Sequence, residues 1–402
     1  MQRYTGTKIS CYIGYIVQAI INNFLPLLFL IFQTEYNVSY EALGRLIFIN
    51  FVVQISVDIV SVKAVKFLGY RTITVLAHAV AALGLVMLGV LPMLFPENVY
   101  TCLVIAILFY ATGSGIIEVI ISPIVEYLPG EKKAAEMCFL HSFYCWGQVL
   151  TVIVSTVLLR VLGGNWMLLP IIWAVIPFVN MFSFMRVPLV IPKNEAKNKG
   201  DSISVLLKNR KFYKLLIAML CAGASEIAVA QWSSMFIEQA FGVDKVVGDL
   251  LGPCAFALFM GTGRIVFGLL GEKISLNRLI TANAALCFVC YLVVSFSSSP
   301  VLCLISCAVC GFSVSLMWPG TYSVAAKEIV GGGTAMYGVL AMLGDMGCSL
   351  GPWLVGLVAD FKSLQAGFLV VSVFPAIMFL SGIRDEIKKF IKLKRGAFNE
   401  TR

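Results

Sequence analysis

Twelve long apolar runs, each closed by charged, glycine or proline residues, set the pattern of this chain. They cover residues 9–33, 42–65, 72–94, 100–127, 136–160 and 166–187, then 212–238, 246–271, 279–297, 300–325, 333–359 and 364–383. About 20 apolar residues in helical geometry span the hydrocarbon core of a bilayer. Each run therefore predicts a membrane-crossing helix. One hydrophilic stretch, Pro188 to Lys211, stands out between the sixth and seventh runs and carries Pro192, Lys193, Lys197, Lys199 and Lys208. The expected organisation is a six-helix bundle over 1–187, a basic linker over 188–211, a second bundle over 212–383, and a basic tail over 384–402.

Composition strengthens this picture. The 402 residues are 59% hydrophobic and 13% charged, where soluble chains run about 45–50% apolar and about 25% charged. Too little polar surface exists to cover a water-soluble particle. The net charge of +9 does not point to nucleic acid, because the cations sit in bursts between the apolar runs. With both ends in the cytoplasm, inner loops and tails hold 25 of the 30 Lys and Arg residues, while outer positions hold Arg45, Arg160, Lys245 and Lys362. Positive charge is retained on the cytoplasmic side, so both termini are expected there. The tail residues Lys388, Lys389, Lys392, Lys394 and Arg395 suit anionic lipid. The first run is too long for a signal core and no small-residue cleavage site follows it. Asn37-Val38-Ser39 is a glycosylation sequon on the expected outer side.

The 12 cysteines fall almost entirely inside apolar runs. Cys287-x2-Cys290 and Cys307-x2-Cys310 imitate a zinc spacing, but a tetrathiolate site would carry negative charge into hydrocarbon. Small apolar filling is the simpler role, and neither metal nor cofactor is expected. The sequence holds no phosphate-binding loop and no nucleophile–base set, which argues against ATP drive and against an enzyme.

Charged side chains within a bilayer are costly and face a cavity or a partner. The mid-span cases are Asp58, Glu118, Glu226, Arg264 and Asp345. Glu126, Glu136, Glu238 and Glu272 lie near span ends, where an interfacial or latching role fits. Asp58 lies eight residues before Lys66, and Arg264 eight before Glu272. These pseudo-equivalent positions of opposite sign either pair in one transport state or cap separate networks. Asn22 and Asn23 precede Pro26, a pattern for a locally opened helix that presents amides to a solute; interhelical bonding is the alternative. Gln54 lies one turn before Asp58. His141 and Trp146 flank the aromatic start of the fifth run, with ligand contact or packing open for His141, while His78 reads as structural. Glu226, Gln231 and Trp232 can line one wall suited to a polyhydroxylated or cationic solute. Trp318-Pro319-Gly320 marks a bend in the tenth run.

The halves echo each other, as parallel repeats around a central cavity do. Gly268-x-Leu270-x-Glu272-Lys273 resembles the loop motif of major facilitator transporters, with a degenerate counterpart at Lys66, Gly69 and Arg71. Gly113-Ser-Gly-Ile-Ile-Glu118 with Pro123 and Leu128-Pro129-Gly130-Glu131 is similar to a motif of the fucose permease branch. The stretches Trp318–Lys327 through Met342 and Gly344, and Gly223-x-x-Glu226 with Trp232, resemble other parts of it. The resemblance implies an all-α membrane fold of two pseudo-symmetric six-helix bundles. It implies that Glu118 exchanges the coupled proton and that His141 stands at a sugar-contacting position. Asn22 stands where the branch carries an acid.

The combined reading is a monomeric secondary transporter in a cell membrane, inner or plasma. It imports a small polar solute, a sugar or related compound, with protons as coupling ion. Proton-driven export of amphipathic or cationic compounds is the alternative.

Overall fold

The computed structural model describes residues 4–129, 133–190, 203–270, 275–329 and 333–400, and the side chains of these apart from 62–63, 66, 126–127, 133–138, 203–204, 268–270, 333–335 and 387–400. Twelve helices are long and apolar enough to cross a membrane: α1 (Thr5–Tyr36), α2 (Tyr40–Ser61), α3 (Phe67–Leu94), α4 (Pro96–Val125), α5 (Phe139–Val161), α6 (Leu168–Arg186), α7 (Arg210–Phe241), α8 (Lys245–Phe267), α9 (Leu276–Phe296), α10 (Pro300–Glu328), α11 (Met336–Phe361) and α12 (Leu364–Glu386). Every one of the twelve apolar runs became a span, with ends shifted by only a few residues. Gly130, Glu131, residues 191–202 of the linker, Glu272 and Lys273 lie outside the described residues. So do the side chains of Lys66, Glu126, Glu136 and the basic tail.

Local chemistry sets the boundaries. Asn37 ends α1 in the left-handed conformation at φ 52°, and Ser39 starts α2 by accepting a bond from the Ala42 amide. Asn209, Asp244, Ser299 and Ser363 cap α7, α8, α10 and α12 in the same way, each supplying an acceptor to an amide that has no helical partner. Near the start of α3 the helix is broken at Gly69, whose φ of 76° suits a residue without a Cβ. Two residues on, Arg71 donates to the carbonyls of Phe184, Met185 and Val187 at 2.8, 2.7 and 2.9 Å. The retained pieces of the degenerate loop motif therefore break the helix and satisfy the open C-terminal end of α6.

Burial sorts the helices into layers. The spans of α1 and α7 are 83% and 72% buried, whereas those of α2, α6 and α9 are 39% and that of α12 is 33% buried. The first pair is enclosed most deeply and α12 is the most outward. Within the first six helices α1 packs on α4 and α5, and within the second six α7 packs on α11 and α10. The two sets meet where α2 crosses α11 and α5 crosses α8. An even number of crossings puts both chain ends on one face, called here the termini face; the other is the far face.

Pro26 shapes the centre. The α-helix runs from Thr5 to Asn23 and gives way to a 3-10 turn at Leu25–Leu28, so the helix opens directly after the asparagines. Proline has no N–H, so the Asn22 carbonyl lacks its usual partner four residues on. Gln231 of α7 supplies one from the other half of the molecule, donating to it at 2.9 Å.

Candidate functional site

Three central helices carry polar residues at intervals of four, which stack them on one face in layers. The first layer joins Asn22, Gln54 and Ser114. Asn22 Oδ1 accepts from Gln54 Nε2 at 2.9 Å and from Asn50 Nδ2 at 3.1 Å, and Gln54 Oε1 accepts from Ser114 at 3.1 Å. One turn toward the termini face, the same helices present Gln18, Asp58 and Glu118. Gln18 Nε2 donates to Glu118 Oε2 at 2.5 Å, and Asp58 Oδ1 lies against Gly115 of α4, where an added Cβ would stand 3.3 Å from it. A further turn on, Tyr15 shares a hydrogen bond with Ser122 at 2.7 Å and meets His141 Nε2 at 3.4 Å. His141 is exposed, at the termini-face end of this stack.

The second six helices face this stack with charge. Arg264 of α8 lies 3.8 Å from Glu226 of α7 and bonds Cys145 of α5 at 3.3 Å. Asp345 of α11 is 4% exposed, next to Gly344, on which the Trp318 ring rests. Trp318 meets Tyr322 with ring centroids 6.4 Å apart. Asp345 and Asp58 both lie within electrostatic reach of Glu118.

Several expected site residues take other roles here. Asp58 and Arg264 do not pair in this conformation; the guanidinium faces Glu226. Asn22 bonds between helices through Gln54 and Asn50, and Asn23 donates to the Ala19 carbonyl of its own helix at 2.9 Å and to Tyr144 of α5 at 3.3 Å. Trp232 is fully buried and its indole N–H bonds the Pro352 carbonyl at 2.9 Å, so it closes a helix contact and has no donor to offer. Trp146 belongs to an exposed stripe with Phe139, Leu150, Ile153 and Val157, turned about 100° per residue away from Cys145 and Gly147, which meet the neighbouring helices. His78 is buried between the Thr74 carbonyl at 2.8 Å and Asn180 at 2.9 Å, a structural role.

The far face holds residues that sequence reasoning passed over. The Asp360 carboxylate accepts from the Tyr40 and Glu41 amides at 2.8 and 2.9 Å, so a residue of α11 caps the start of α2 across the two halves. Trp353 donates to Glu41 at 3.0 Å, and Tyr40 to Gln239 at 2.6 Å. Lys245 binds the Leu27 carbonyl at 2.7 Å and Asp249 at 3.1 Å, and Asp249 accepts from Thr156 at 2.7 Å. Glu238 joins this network through Ser234 at 3.0 Å, so it latches helices rather than lying at the interface. The bonds that join the halves cluster here and at mid-span.

The Glu226–Arg264 contact makes a prediction. Removing one partner of a sequestered ion pair leaves the other uncompensated and is destabilising, whereas contacting pairs couple by about 0.5–3 kcal/mol. Glu226→Gln and Arg264→Gln are each expected to lower the melting temperature of purified protein, and the double variant to lose less than their sum. Additive losses would show that the pair carries no coupling.

Among solved structures the chain is similar in fold to the nucleoside transporter NupG, at 13% identity and TM-score 0.77, with 94% of this chain and 99% of that chain covered. It is similar to the fucose:proton symporter FucP of E. coli, at 17% identity and TM-score 0.65, covering 94% and 98%. A third is the xylose transporter XylE of E. coli in a partially occluded inward-open conformation, at 11% identity and TM-score 0.75, covering 94% and 97%. In sequence the chain is 24% identical to an uncharacterized MFS-type transporter of Yersinia pestis over 312 residues, 76% of each. The Major Facilitator Superfamily model matches residues 11–352, and a twelve-span helical fold built around a polar centre agrees with it: the chain belongs to the Major Facilitator Superfamily and is a multi-pass membrane transporter rather than an enzyme.

Proposed function

We propose that this transporter imports a small polar solute, of the sugar class or a related compound, together with protons, by rocking its two six-helix halves around the central layers. The observation that carries this reading is the Gln18–Glu118 bond at 2.5 Å. It holds a carboxyl between helices, within electrostatic reach of Asp58 and Asp345, with a neutral amide as partner. An amide N–H bonds a carboxylate and still leaves an oxygen free to take a proton. Such a group can therefore load and release one as access alternates. Solved relatives described as a fucose:proton symporter, a nucleoside transporter and a xylose transporter agree with a polar solute. Uptake of labelled sugars into proteoliposomes under an inward proton gradient tests the reading; flux in the opposite direction, driven by the same gradient, would favour export of cationic or amphipathic compounds.

With the halves clamped at the far face and His141 exposed toward the termini face, orientation fixes the state. We take the termini face as cytoplasmic from the cation distribution; on that orientation this conformation is inward-open. Reporter fusions are expected to place residue 402 and the 188–211 linker inside and the Asn37 loop outside. An external linker would reverse the direction assigned to every step.

A further inference from the structure

The charges and hydrogen-bond groups around the central layers do not balance: negative charge and acceptors are in excess. Among the described side chains, four carboxyl groups face the site, Asp58, Glu118, Glu226 and Asp345, with one guanidinium, Arg264, which is ion-paired with Glu226. The ion pairs among the described side chains include none on Asp58, Glu118 or Asp345. A proton on Glu118 still leaves Asp58 and Asp345.

A second observation concerns hydrogen bonding, and its independent part is the two neutral amides Asn50 and Gln231. Asn50 Oδ1, Gln231 Oε1, Asp58 Oδ1 and Asp345 Oδ2 are buried without a hydrogen-bond partner. All four are acceptors, and Asn50, Gln231 and Asp345 are 5%, 3% and 4% exposed. The amide orientations follow from the bonds they make. Gln231 spends its N–H on the Asn22 carbonyl and Asn50 spends its own on Asn22 Oδ1, so in each the oxygen is left over. Buried acceptors without donors are costly. Protons resting on the acids would neutralise charge but would leave the two amide oxygens unmatched. Donors are fewer among the described side chains at the centre: Gln148 Nε2 on α5 and the Nε of Arg264 are the buried donor atoms there that make no hydrogen bond, and they give a hydroxyl oxygen somewhere to bind.

We propose that the solute is a small organic cation, a protonated amine that also carries hydroxyl or further N–H donors, seated between Asp58 of α2 and Asp345 of α11. This rests on the reading of the central layers as the solute site, and narrows it from polar solutes at large to donor-rich cations. An ammonium with three N–H donors answers the acceptor excess and the net charge together. A neutral sugar answers only the first, and an anion worsens both.

The test compares probes that share a ring and differ in charge. Purified transporter in lipid nanodiscs at pH 7 is titrated with glucosamine, glucose and glucuronate, with putrescine as an acyclic diamine, while its melting temperature is followed. Glucosamine and putrescine are expected to raise it, and glucose and glucuronate to leave it in place. Asp345→Asn and Asp58→Asn keep side-chain volume and are each expected to weaken glucosamine binding about tenfold, whereas Gly338→Leu, with nothing within 4 Å of its added Cβ, keeps it. A glucose response equal to that of glucosamine, or no response to any amine, overturns the proposal. Gradient-driven uptake of glucose in proteoliposomes would then leave proton-coupled transport standing without the cation. Amine binding without gradient-driven flux would fail the transport reading and keep the charge preference.

Discussion

Glu118→Gln is expected to abolish accumulation of solute against its gradient while leaving solute binding and counterflow exchange intact. Glutamine matches the shape of the protonated carboxyl and cannot ionise. A carrier locked in that form can still rock between its two faces with solute bound, but it returns no proton. One pH unit across the membrane is worth about 1.4 kcal/mol per proton, or about tenfold accumulation for each proton moved. In the variant the inside-to-outside ratio should fall to about one at every imposed gradient. Gln18 sharpens the comparison: Gln18→Leu removes the hydrogen bond to Glu118 without removing the acid, and should slow turnover while keeping accumulation. Full proton-driven accumulation in Glu118→Gln would remove this residue from the coupling step and direct attention to Asp345 and Asp58.

The sequence was most informative where the bilayer acts as solvent. All twelve spans were legible because hydrocarbon demands about 20 apolar residues whatever the neighbours are. Glu118, Asp58 and Asp345 stood out because charge at mid-span is rare. Gln18, Asn50 and Ser114 were missed for the opposite reason, being neutral and singly unremarkable. Their signal was spacing: each lies four residues from a residue already selected, Asn22, Gln54 or Glu118, and a helix stacks such pairs on one face. Pairings between distant helices were not legible. That Arg264 meets Glu226 and not Asp58 depends on how α8 sits against α5 and α7. Asp360, Lys245 and Asp249 were hidden at span ends, where charged residues are common and carry no warning. Trp146 and Trp232 misled because an aromatic near a polar motif looks like a binding wall until the register decides which way it faces.

The far-face clamp yields the last prediction. Gly356 of α11 lies so close to α2 that an added Cβ would come within 2.3 Å of the Tyr40 carbonyl oxygen. Backbone cannot withdraw there without separating the helices, because Asp360, one turn on, bonds the Tyr40 and Glu41 amides. Gly356→Leu should wedge α2 from α11 and break those bonds. Overpacking a tight contact costs about 1–3 kcal/mol, and about 1.4 kcal/mol shifts a two-state population tenfold. The clamped conformation should therefore give way to one open at the far face. Spin labels at Asn37 and Lys362, both exposed on far-face loops, are expected to report a longer distance in this variant. Gly338→Leu on the same helix is the control, since nothing lies within 4 Å of a Cβ added there, and it should leave the distance unchanged. Where Gly356→Leu fails to fold, Asp360→Asn weakens the same contact without adding bulk and should move the distribution in the same direction. A distance unchanged in both variants would mean that α2 and α11 do not part when the transporter opens, and that the far face opens along α5 and α8 instead.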